Sequence, residues 1–220
     1  ALHMRRLRRN AGISTAEVLA GSALSLIALA AIYSFQRAQS KALLAQNAYA
    51  ESQTVTRQVM DIMTRELRMA SFDPTGLALT TSGPGTCPGV KQGIVAAGST
   101  SIRFKQDLNA DGACNTSGED ITYDVLGTSI RRTDGGGAPV AMVDGVPSGG
   151  FSLRYFDNSN PPVEIIPLGS PPALTPTQRD CVAKIRVNVK ADIPNPTLVN
   201  PLASLAESEV AIRNRSLTNF

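Results

Sequence analysis

Between Ile13 and Phe35 the chain runs for 23 residues with a single charged side chain, Glu17. As a helix, at about 1.5 Å per residue, this stretch is roughly 34 Å long, enough to cross the ~30 Å hydrocarbon core of a bilayer. Arg5, Arg6, Arg8 and Arg9 precede it. The positive-inside rule keeps those arginines in the cytoplasm and places everything after Phe35 outside. A cleaved secretory signal would end at a small-residue site, yet Tyr33-Ser34-Phe35-Gln36-Arg37 continues into further helix. Glu17 is the costly residue. A carboxylate at mid-membrane costs about 2.5–3.5 kcal/mol, less near an interface, so a partner is expected for it.

Gly12-Ile13-Ser14-Thr15-Ala16-Glu17-Val18-Leu19 resembles the signal of type IV prepilins and pseudopilins. The resemblance implies that residues 1–12 form a leader, that a prepilin peptidase cuts after Gly12, and that Ile13 becomes a methylated N-terminus. Glu17 is then the fifth mature residue. It would neutralise the new α-amino cation of a neighbouring subunit, two charges that are tolerable in an apolar setting only as a pair. Ile13 stands where Phe is usual, Ser14-Thr15-Ala16 is more polar than usual, and Ser34 stands where a kinking proline is common. These departures point to a minor subunit.

From Gln36 to Ala70 there is neither Pro nor Gly, and Ala, Gln, Arg, Leu and Met dominate. Ala48, Val55, Ile62 and Met69 recur at heptad spacing, with Val59 and Leu67 nearby. This predicts an amphipathic helix over 36–72 with that stripe turned to a core, ending before Asp73-Pro74. Arg65-Glu66-Leu67-Arg68-Met69-Ala70-Ser71-Phe72-Asp73-Pro74 resembles the end of the long helix in PilW-like minor pilins. Ser208 to Arg215 resembles the closing strand of that group.

Beyond Asp73 the texture changes to short β-type runs between Gly, Pro, Asn and Asp. Strands are expected at Ser101–Lys105, Ile121–Leu126, Ser129–Arg132, Phe151–Phe156, Val182–Lys190 and Glu209–Asn214, with a surface excursion from Asp157 to Arg179. The fold class expected is α+β and pilin-like: a long helix, half membrane-spanning (13–35) and half amphipathic (36–72), laid on an antiparallel sheet within 73–220.

The only histidine is His3, which removes Ser-His-Asp, Cys-His and His-rich zinc chemistry, and no phosphate-binding glycine loop is present. No enzymatic activity and no required cofactor are expected. Asp107-Leu108-Asn109-Ala110-Asp111-Gly112 matches the first half of a calcium loop, with Asn115 and Glu119 as later oxygen donors. Glu119 falls one place beyond the usual last ligand, and a polar turn stabilised by side-chain bonds to the backbone is the competing reading. Cys87, Cys114 and Cys181 fall on the outer side, where disulfides persist. Of the three pairings Cys87–Cys114 is favoured, since both sit in loop sequence.

The formal charge is +3. Removing the four leader arginines from 21 basic side chains leaves 17 against 18 acidic ones, a net −1. The basic balance is therefore a topology signal, and no nucleic-acid partner is expected. The resemblance implies a minor pilin: bacterial inner membrane, single-pass, C-terminal domain in the periplasm, later in a filament. Its partners would be other pilins or pseudopilins, prepilin peptidase and the inner-membrane assembly platform. A type II secretion pseudopilin is the alternative of the same class. An uncleaved, membrane-anchored periplasmic binding module is the alternative of a different class.

Overall fold

With no proline before Pro74, nothing interrupts a helix once it has started, and α1 runs unbroken over Thr15–Met69, 55 residues. The computed structural model describes residues 13–80, 92–193 and 202–212. The leader with Gly12, Cys87, the loop at Pro194 and Pro196, and the tail from Arg213 lie outside the described residues. The chain divides into two units between Gln46 and Asn47.

In the first unit α1 is solvent-exposed. No residue of the helix before Ser52 is buried, and Leu19, Leu26 and Ile27 are 69%, 67% and 67% exposed. An 18-residue window here has a mean hydropathy of 2.0, so the helix is long and apolar enough to cross a membrane.

In the second unit Val59, Met60, Met63, Leu67 and Ala70 of α1 enter the core. The buried face matches the stripe expected from sequence only in part, since Val59 and Leu67 are buried. Ala48, Val55, Ile62 and Met69 are only half-buried, and the face also includes Ser52 and Thr56. Ser204 explains this: its hydroxyl lies 2.7 Å from the Ser52 hydroxyl and 2.8 Å from that of Thr56, so polar groups occupy core positions at little cost. The helix ends at Met69, short of the expected residue 72. Ala70 N–H turns back to the Leu67 carbonyl, Ser71 adopts φ +69°, and Ser71 N–H joins the Lys105 carbonyl at 3.0 Å.

Two antiparallel sheets, rather than the single one expected, complete the unit. Strands β1 (Ile94–Ala97), β2 (Ile102–Lys105), β3 (Asp120–Leu126), β4 (Ser129–Asp134) and β5 (Val140–Val143) form a meander in chain order. Strands β6 (Phe151–Phe156), β7 (Glu164–Ile165), β8 (Lys184–Ile193) and β9 (Leu202–Ala211) are ordered β7-β6-β8-β9. Period-2 alternation puts Phe151, Leu153 and Tyr155 of β6 and Ile185, Val187 and Val189 of β8 in the same core as Phe104, Ile121 and Ile130 of the first sheet. The excursion expected over 157–179 contains β7 and leads into a short helix, α2 (Pro176–Cys181). Thr175 and Gln178 close a capping box on α2. Val182, expected to open a strand, caps this helix instead.

Candidate functional site

At the head of α1, Ile13 is 79% exposed. Ser14 precedes the helix, and its hydroxyl accepts the Ala16 N–H at 3.3 Å. Glu17 Oε2 accepts the Ser14 N–H at 3.0 Å. Ser14 thus caps the helix through the Ala16 N–H while Glu17 reaches back to the Ser14 N–H, and the carboxylate also lies at the positive end of the helix dipole. The S-x-x-E spacing was visible in the sequence. It gives Glu17 a local role alongside the assembly role that the family resemblance implies.

The second candidate is the loop between β2 and β3. The end of α1 positions it: Asp107 N–H donates to the Phe72 carbonyl at 2.7 Å, two residues after Lys105 receives Ser71 N–H. Asp107 is fully buried. Its Oδ2 accepts the Gly112 N–H at 3.1 Å and the Thr75 hydroxyl at 3.4 Å, while Oδ1 is buried without any hydrogen-bond partner. The chain can fold back so tightly because Gly112 adopts φ +81°. Asn109 Oδ1 accepts the Asp111 N–H at 3.0 Å, Asp111 Oδ1 accepts the Ala113 N–H at 2.8 Å, and Asn109 Nδ2 donates to Asp111 Oδ2 at 3.0 Å.

Glu119 is fully buried beside this loop. Its Oε1 accepts N–H groups from Leu108 (3.1 Å) and Asn109 (3.4 Å), and its Oε2 accepts those of Asn115 (3.1 Å) and Thr116 (2.8 Å). Burial alone would raise its proton affinity, but these donors outweigh it and hold the carboxyl below the usual range. The structure thus pairs Asn109 with Asp111, ties Asp107 to the same loop through the Gly112 N–H, and commits both Glu119 oxygens to the main chain. Asn115 contributes its N–H to that carboxylate, and its side chain is exposed. Among the described residues no three His, Cys, Asp or Glu side chains form a ready metal cluster. A cation here would need amide and main-chain oxygens as well.

Sequence reasoning missed a neighbouring staple. Asp73 Oδ1 accepts the Gly76 N–H at 2.9 Å and Oδ2 the Leu79 N–H at 3.0 Å. An Asp-Pro-Thr-Gly turn signal was present, but its contact through Thr75 to Asp107 is long-range.

The cysteine expectation is corrected. Cys114 is a free thiol, so the favoured Cys87–Cys114 bridge does not form, whereas Cys181 at the end of α2 is disulfide-bonded. Cys114 sits half-buried inside the acidic loop, among Glu119, Asp107 and Asp73. Burial and those charges keep its thiol protonated, and the thiolate is the form that reacts.

Comparison with protein-family models, with curated proteins and with solved structures finds no match.

Proposed function

We propose that the chain is a minor pilin, a structural subunit of a type IV pilus or closely related filament. Residues 1–12 are a leader removed after Gly12, Ile13 is the methylated N-terminus, and residues 13–35 hold the subunit in the inner membrane before they join the filament core. The carrying observation is the head of α1. A Gly-Ile junction is followed by a lone carboxylate, Glu17, in the first turn of an apolar helix that, among the described residues, is not buried before Ser52. Large exposed apolar faces call for lipid or a partner, and neighbouring helices of the same kind supply one. The disulfide at Cys181 suits an oxidising compartment on the far side of the membrane.

Mass analysis of the mature N-terminus tests this reading. A species starting at N-methyl-Ile13 is expected, and an uncut N-terminus would favour a membrane-anchored binding module. Glu17→Gln separates the two roles of Glu17, because glutamine can still accept the Ser14 N–H but carries no charge. Assembly lost equally in Glu17→Gln and Glu17→Ala, with helix content kept in Glu17→Gln, is the expected result. Normal assembly of Glu17→Gln would reduce Glu17 to a cap and remove the charge-pairing mechanism.

A further inference from the structure

One buried group in the loop between β2 and β3 is left without a partner. Asp107 Oδ1 has no hydrogen-bond donor and no access to solvent, although the other oxygen of the same carboxylate is held inside the loop by Gly112 N–H. Buried polar atoms are nearly always partnered, and leaving one bare in the interior is costly. The surroundings deepen the deficit. Asp111 and Glu119 belong to the same loop, and Asp73 reaches Asp107 through the Thr75 hydroxyl. The nearby Lys105 is engaged by Asp120 at 3.8 Å. A cation is the simplest missing partner for this arrangement.

We propose that the loop binds one calcium ion, with Asp107 Oδ1 as its anchoring ligand and the side-chain oxygens of Asn109 and Asp111 as further donors. The donors are all oxygens, as calcium requires, and neutral amide and main-chain carbonyl groups are ordinary members of such a sphere. No histidine or thiolate is needed, which disfavours zinc. Glu119 acts one step away: by gathering four N–H groups it fixes the loop around the ion. The site does not depend on the chain being a pilin.

The test uses the full chain in detergent micelles, stripped with EDTA and titrated with calcium chloride in a calorimeter, with melting followed in parallel. One ion per chain, saturating below about 5 mM as in weak extracellular sites, and a rise in melting temperature are expected. Asp107→Asn keeps an acceptor for Gly112 N–H, removes the bare oxygen and should weaken binding about tenfold or more, the loss of one charged ligand being worth at least about 1.4 kcal/mol. Asp111→Asn, on an exposed side chain, should also weaken binding and decides the matter if Asp107→Asn does not fold. Absence of heat and of any melting shift at about 5 mM calcium would overturn the proposal. So would binding unchanged in the variants, or an equal response to magnesium, the mark of diffuse charge screening.

Discussion

Arg132 of β4 grips Glu66 of α1 through two nitrogens: Nε lies 3.2 Å from both carboxylate oxygens and Nη2 lies 3.0 Å from Oε1. The Tyr123 hydroxyl of β3 donates to the same carboxylate. One glutamate thus ties the long helix to two neighbouring strands, and both ends of the ion pair are mostly buried. Truncating one member strands the other. Glu66→Ala should lower unfolding free energy by about 2–3 kcal/mol, the range for charge-assisted bonds at a partly buried site. The apolar pair Glu66→Leu with Arg132→Leu should recover part of that loss, because neither charge is then left behind. Denaturant midpoints of the three variants check this, and a single mutant within about 0.5 kcal/mol of wild type would contradict it.

The close approach of Gly93 to Ser71 makes a second prediction. A Cβ on Gly93 would lie 2.3 Å from Ser71 Cα, a distance only a backbone shift could relieve. Ser71 has little freedom to move, since its left-handed turn is what lets its N–H reach the Lys105 carbonyl. Gly93→Ala should therefore cost about 2 kcal/mol or more. Gly136→Ala is the control, because a Cβ there meets nothing within 4 Å, and it should be near neutral. Equal melting temperatures for the two variants would dissolve the argument.

Stability should fall on the acid side. Arg103 bonds Asp120 at 2.8 and 2.6 Å and holds its carboxyl below the usual range. Asp134 is lowered as well: burial opposes this, but Gly118 N–H, the Ser117 hydroxyl and Arg132 prevail. Glu119 is lowered by its main-chain donors. As pH drops, the unfolded chain takes up these protons first, so the stabilisation is present above about pH 5 and is lost as pH falls through the depressed folded values. Tyr123 and Tyr155 set the opposite limit. Burial raises both, and Glu66 raises Tyr123 further, so stability should also decline above about pH 10, where unfolded tyrosines ionise. A melting temperature that is flat through neutral pH and drops at both ends is expected. Asp120→Asn should blunt the acid limb.

The elements most legible in the sequence were those whose local pattern and tertiary setting agree. Strand β8 alternates Ile185, Val187 and Val189 with charged or polar residues, and α1 lacks any breaker after Gly21 until its end. The rest was decided by long-range contact. Strand β9 reads Leu-Ala-Ser-Leu-Ala-Glu-Ser-Glu-Val-Ala, mostly helix-forming residues, and ten pairings with β8 hold it extended. The buried face of α1 was legible only in part, at Val59 and Leu67, because Ser52 and Thr56 look solvent-facing until Ser204 arrives from 148 or more residues away. In the loop, Asp-x-Asn-x-Asp-Gly announced Asp107, Asn109 and Asp111. The role of Glu119 was hidden, because main-chain donors leave no trace in residue identity.

The thiols give the last prediction. Burial pushes Cys114 up to about 11; Lys105 opposes this, and the carboxylates of Glu119, Asp107 and Asp73 add to it. Set against an ordinary thiol near 9, a shift of this size leaves about a hundredfold less thiolate at pH 8. Iodoacetamide should therefore label the native protein about a hundredfold more slowly than an unperturbed cysteine. Denaturation without reductant should release Cys114 alone, because Cys181 is bonded and Cys114 is free. Peptide mapping should then find Cys181 in a crosslinked peptide. Rapid native labelling of Cys114, or its recovery in a crosslinked peptide, would contradict this arrangement. Reduction of the bridge should leave the acidic loop intact, since its staples are carboxylate to main-chain bonds that do not involve Cys181.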